Sequence, residues 1–228
     1  VLGESVGRNR IRATIIVPWW NHPELIGDFV EAIGSERADE VLIMDNASEP
    51  EVANSLDELL GRRCGMTVVH RDSNSQLQAL TEGVRLARNE TVVFLNNDVV
   101  KRTTGWLRTL TAAIEPGVFC GAQLREAEGI KYLDGWCWGC RRADFECIGG
   151  YDLAFEEPAY WADVELCARA QAHGIVLKQV ELPLHHLESV SSRPLQRSER
   201  FWQVFERNRQ RLMERLHGGL GVDVVEQA

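Results

Sequence analysis

The stretch Thr91-Val92-Val93-Phe94-Leu95-Asn96-Asn97-Asp98 decides how this chain is read. Its first half is an apolar run that suits only a buried strand, and it ends in two amides and a carboxylate. A strand tip of that chemistry is a site rather than a piece of core. Val41-Leu42-Ile43-Met44 does nearly the same, running straight into Asp45-Asn46-Ala47-Ser48. In open α/β sheets, ligands bind in the crevice outside the carboxyl ends of the strands, so two acidic tips roughly fifty residues apart point to one shared cleft. A polyanionic, metal-assisted ligand suits such a cleft.

Working outward, the first half alternates strand and helix patterns, the signature of an α/β chain with a mostly parallel sheet. Ala13 to Pro18 reads as the first buried strand, closed by a proline that cannot donate to the ladder. The loop Trp19-Trp20-Asn21-His22 follows. Leu25, Ile26, Phe29, Val30 and Ile33 then recur at helical spacing, with Pro23 suited to the first turn. A helix over Pro50 to Leu60 precedes a strand at Thr67 to His70, and Ser75 to Arg88 carries Leu77, Leu80, Val84 and Ala87 on one face. After Asp98 the alternation gives way to a helix around Gly105 to Ile114 and then to glycine- and tryptophan-rich segments. Tyr160 to His173 reads as a helix with Asp163 and Glu165 near its start, where the helix dipole favours acids. Ile175 to Val180 is a late strand, followed by Leu184-His185-His186. The chain is expected to form one domain over 1–228: a nucleotide-binding half (13–98), an acceptor-facing half (99–192) and a helical extension (193–228).

Composition narrows the function classes. A chain of 228 residues with 44% hydrophobic and 26% charged residues can bury a sizeable core. The net charge of −9 excludes an ordinary nucleic-acid binder, which needs clustered Lys and Arg on phosphates. No apolar run approaches the roughly 20 residues that span a bilayer. The six cysteines (Cys64, Cys120, Cys137, Cys140, Cys147 and Cys167) lack a secreted disulfide spacing, so a reducing, cytoplasmic location is expected. Cys137-Trp138-Gly139-Cys140 has the spacing of half a zinc site, but no second pair accompanies it, so these thiols are read as core or cleft lining.

Seven blocks occur in a telling order: ATIIVPWWN, VLIMDNAS, VVFLNND, GWCWGCRR, FECIGGYD, AYWADVELCARA and LHHLESVSS. Together they resemble the family 2 glycosyltransferases, whose fold is the GT-A fold, a Rossmann-like nucleotide-diphospho-sugar transferase architecture with a mostly parallel sheet flanked by helices. The resemblance runs from about Ala13 to Ser192, and the joint order is far more specific than any single block.

The resemblance implies transfer of a sugar from a nucleoside diphosphate, UDP by default and dTDP or GDP as alternatives, to an acceptor hydroxyl. Pro18, Asn21, Asp45, Arg71 and Asn97 would line the nucleotide pocket. Asn96-Asn97-Asp98 falls at the family's metal motif, so Asp98 and the diphosphate oxygens would hold Mn2+ or Mg2+. His185 or His186 would close the metal site from the C-terminal side; adjacent strand residues face opposite ways, so only one can serve, and the spacing to Ser191 favours His186. Gly135, Trp136, Cys137 and Trp138 would lie under the donor sugar, where a small residue admits backbone and an indole stacks on a sugar face. Asp163 matches the general base of an inverting displacement. Ala162 stands where the family has Glu, which leaves Glu165 as the alternative base. A retaining transferase of the same fold, or a sugar-nucleotide-binding module without turnover, are the competing readings. The acceptor is open among glycan, lipid-linked and small-molecule hydroxyls. From Arg193 to Leu216 seven arginines meet three glutamates on a helix striped by Phe201, Phe205, Asn208, Leu212 and Leu216, which is either a packing helix or a peripheral membrane contact.

Overall fold

The computed structural model describes residues 10–61, 63, 65–187 and 195–219. Ser191, Cys64 and Arg193 therefore lie outside the described residues. Seven strands form the central sheet. From one edge they run β10 (Val176–Gln179), β6 (Val118–Gly121), β9 (Cys137–Arg141), β4 (Thr91–Leu95), β1 (Ile11–Trp19), β2 (Ala38–Asp45) and β3 (Met66–His70). All neighbours are parallel except β9, which runs antiparallel to both β4 and β6.

Side-chain parity in the strands splits the core in two. Ile16, Leu42, Met44, Val92 and Phe94 face one layer, built by α3 (Gln76–Leu86), α5 (Arg142–Cys147), α6 (Ala162–Ala172) and α7 (Glu199–His217). Ile15, Val17, Val41, Ile43, Val93 and Leu95 face the other, built by α1 (Ile26–Gly34), α2 (Pro50–Leu56) and α4 (Trp106–Ala113). Strands buried on both faces read as continuous apolar runs, which is why β1, β2 and β4 stand out in the sequence. The helix expected at Pro50 to Leu60 ends its α-helical part at Leu56 and continues as a wider turn to Gly61.

Two small ribbons complete the fold. β5 (Val99–Lys101) pairs with β11 (Leu184–His186), and β7 (Leu124–Ala127) pairs with β8 (Ile130–Leu133), both antiparallel. Gly83 lets α3 lie flat on β1, because a Cβ there would run into the Ile16 side chain. Gly139 does the same within the sheet, where a Cβ would stand 2.8 Å from the Val92 carbonyl oxygen.

Candidate active site

A cavity of about 550 Å3 opens beyond the carboxyl ends of β1 and β4. Pro18 comes from the end of β1, and Asn96, Asn97 and Asp98 come from the tip of β4. Gly135 and Trp136 enter from the segment before β9, Asp163 from the first turn of α6, and His186 from β11.

The β5–β11 ribbon explains how His186 reaches a strand tip almost ninety residues earlier. Its register pairs His186 with Val99, and the Leu187 amide donates to the Asp98 carbonyl at 2.9 Å. His186 Nε2 consequently sits 3.0 Å from Asp98 Oδ1. Asn96 Nδ2 lies 3.4 Å from the same nitrogen, and the Trp136 ring stacks on the imidazole at 5.2 Å and 6°. Asp98 Oδ1 is buried with no hydrogen-bond partner. With the imidazole proton on Nδ1, the Nε2 lone pair and the Asp98 Oδ1 lone pairs border the same space. That donor set fits a divalent cation. Among the described residues no group of three or more His, Cys, Asp or Glu could hold a metal, so the remaining ligands would come from a diphosphate and water. His185 pairs with Val100, faces the other way and is exposed, so His186 is the histidine of the cavity.

Asp163 lines the same cavity. The residue as a whole is half-buried with its carboxyl turned inward, Val164 N donates to its Oδ1 at 2.9 Å, and Gly135 N also donates to it. Burial first, and then the negative charge of Asp134, push the carboxyl up to about 7. A group poised there can accept a proton near neutrality. Glu165, the alternative base, is fully buried and never reaches the cavity. Both its oxygens are held by Arg169, at 2.9 and 2.6 Å, and Arg215 of α7 adds a third contact at 3.2 Å. Glu165 is thereby a brace between α6 and α7.

Three residues expected at the nucleotide stand behind the cavity wall instead of lining it. Asp45 is 2% exposed, accepts from Ser48 N at 3.1 Å and meets His70 Nδ1 at 2.7 Å. Asn21 ties the loop after β1 to the loop after β2, donating its backbone amide to Ser48 Oγ and accepting from Glu49 N. Arg71 is spent on Glu82, on Asn46 Oδ1 and on the carbonyls of Ser73 and Ser75. It fixes Asn46, which does line the cavity. Cys137 and Trp138 are likewise core residues. Trp138 stacks on Phe94 at 4.3 Å, and burial pushes both the Cys137 and Cys140 thiols upward, as for thiols packed in a core. β9 begins at Cys137, so Trp136 precedes the strand and is free to face the cavity.

Sequence reasoning missed Asp134, Glu157 and Arg200, all of which line the cavity. Asp134 carries the same signal as Asp98, a carboxylate ending an apolar run, but the run Tyr132-Leu133 is too short to be noticed. Glu157 accepts from Leu77 N and Ser75 Oγ at 3.3 and 3.2 Å, which locks the N-terminus of α3 against the far wall. Arg200 was hidden in the basic C-terminal stretch.

The structure is similar to a mannosyltransferase from Pyrobaculum calidifontis solved in complex with GDP-Man and Mn2+, at TM-score 0.62 and 20% identity over 75% of this chain. This chain spans 55% of that protein's length. It is also similar to glucosyl-3-phosphoglycerate synthase from Mycobacterium tuberculosis in complex with Mn2+, UDP-Glc and phosphoglyceric acid. There the TM-score is 0.65 at 14% identity, covering 90% of this chain and 79% of that one. No curated protein matches the sequence. The model of glycosyl transferase family 2 matches residues 14–132, just over half of the 228 residues, and the chain belongs to that family.

Proposed function

We propose that this protein transfers a glycosyl group from a nucleoside-diphosphate sugar to an acceptor hydroxyl with inversion, using Asp163 as general base and a divalent cation at Asp98 and His186. The observation that carries this reading is the pairing, across one cavity, of an unsatisfied carboxylate beside an imidazole with a second carboxyl poised near neutrality. When bound, Mn2+ or Mg2+ would neutralise charge on the departing diphosphate. Asp98 and His186 would hold that ion, and Trp136 would orient the imidazole by stacking on it. Pro18, Asn46 and Asn97 would contact the nucleoside, with Asp45, Asn21 and Arg71 keeping the wall in shape. Gly135 and Trp136 would lie beside the donor sugar. Asp163 would take the acceptor proton as the hydroxyl oxygen attacks the anomeric carbon. In this reading 13–98 binds the nucleotide, 99–192 the sugar and acceptor, and 193–228 is a helical extension whose helix α7 braces the rest.

Neighbours solved with GDP-Man and with UDP-Glc support both nucleotides as candidates, and UDP is taken as the default. The five described cysteines are all free, which supports a reducing, cytoplasmic setting. Proton NMR of sugar released from UDP-glucose or GDP-mannose in the presence of Mn2+ tests the mechanism. Initial release of the anomer opposite to the donor's is expected. Release with the donor's configuration would favour a retaining reaction and remove the role given to Asp163.

A further inference from the structure

A second carboxylate stands in the wall next to Asp163. Asp134 lies in the cavity, with its backbone amide anchored on the Gln123 carbonyl at 3.0 Å and its side chain 23% exposed. Arg125 of the β7–β8 ribbon grips it at 2.7 Å. Gln123 Oε1 accepts from Arg125 at 3.2 Å and from the Trp136 indole at 3.4 Å. The ion pair is therefore fixed to the same frame as Trp136. The next residue along, Gly135, gives its amide to the Asp163 carboxylate.

We propose that the Asp134–Arg125 pair is a positioning device that sets the proton affinity of Asp163, so that a ribbon outside the cavity tunes the base. This rests on the reading of Asp163 as base. The other titratable groups packed on Asp163 cannot serve. Tyr132 of β8 and Cys167 of α6 are each pushed up to about 12 by burial, and burial also pushes Tyr151 well above its ordinary value, so all three are neutral at working pH. Glu157, Asp98, His186 and Arg200 also line the cavity, but Asp134 is the neighbour whose next residue, Gly135, packs against the Asp163 carboxylate, where a Cβ would lie 3.8 Å from Oδ2, and its charge is the largest acting there. Its charge holds the proton on Asp163, and Arg125 partly cancels that charge.

Opposite signs follow for the two partners, which mere loss of structure would not give. Carbon-13 NMR titration of aspartate-labelled full-length protein, with the Asp163 signal identified through Asp163→Asn, reads the effect without any substrate. In Asp134→Asn the Asp163 midpoint is expected to move to lower pH by roughly one unit, and in Arg125→Gln to higher pH. In the double variant the two opposite shifts should partly offset, placing the Asp163 midpoint between those of the single variants. Midpoints that stay put in Arg125→Gln, or that move the same way in both single variants, would overturn the proposal. Arg125 is 43% exposed, so its variant keeps the test open should Asp134→Asn fail to fold. If the midpoints move as expected while Asp163→Asn still transfers sugar, the tuning stands and the base assignment fails.

Discussion

Asp163 links activity to stability with a definite sign. A carboxylic acid that keeps its proton to about 7 in the fold ionises near 4 in the unfolded chain. Between those values unfolding releases a proton, so this residue costs stability as pH rises from about 4 to about 7. Asp163→Asn is therefore expected to melt above the wild type at pH 8, with the gap closing as pH falls toward 4. Thermal melts across that range check it. The same variant should lose transfer by orders of magnitude while keeping near-normal nucleotide affinity. That Asp98 and Asp163 line the cavity was legible in the sequence, because a carboxylate at the end of a buried strand or the start of a buried helix is anomalous there. Asp45 had the same signal, yet it is sealed off by His70, a contact made only once β3 pairs with β2. Trp136 and Trp138 could not be told apart without knowing where β9 begins.

At the scale of elements, close backbone packing and loop clamps hold the cavity wall. Replacing Gly83 by Ala gains about 1 kcal/mol of helix propensity but drives a methyl group into Ile16, and overpacking of this kind costs about 1–3 kcal/mol. The clash is expected to win, so Gly83→Ala should lower the midpoint of urea unfolding. His70 clamps the tip of β2 to the turn after α2, lying 2.7 Å from Asp45 and 3.2 Å from Asp57. The Asp45 hydrogen bond raises its pKa above the usual imidazole value. Its contribution is thus full below about 6.5 and fades as pH climbs through the raised value. His70→Gln should lower Tm more at pH 6 than at pH 8.5, and an equal loss at both would show that the clamp works uncharged. Helices α1, α3 and α6 and strands β1, β2 and β4 could be read from apolar spacing. The strands β6 to β9 could not, because they are short, rich in Gly and Trp, and owe their pairing to partners far along the chain.

Across the whole molecule, α7 closes the layer that carries Asp163. Its arginines, read from sequence as candidates for an anionic surface, are largely spent inside the chain. Arg207 pairs with Glu156, Arg209 with Glu128, Arg211 with Asp152 and Arg215 with Glu165. Phe201, Val204, Asn208 and Leu212 form its buried stripe. Among the described residues no helix is long and apolar enough to cross a membrane. Arg215→Ala should cost about 1–2 kcal/mol, or roughly 3–6 °C in Tm, by taking a partner from the buried Glu165, without changing sedimentation with anionic vesicles. The fold was legible as a class, but this bracing was not, since ion pairs between distant segments leave no local pattern. In the function we propose, Asp98 and His186 hold a cation whose coordination a nucleoside diphosphate completes. Thermal shift with UDP, GDP and dTDP, with and without Mn2+, on wild type and Asp98→Asn tests it most directly. At least one nucleotide should raise the wild-type Tm only with Mn2+, and Asp98→Asn, folded, should lose that rise. No shift with any nucleotide, or a Mn2+-dependent rise that survives in Asp98→Asn, would contradict the account.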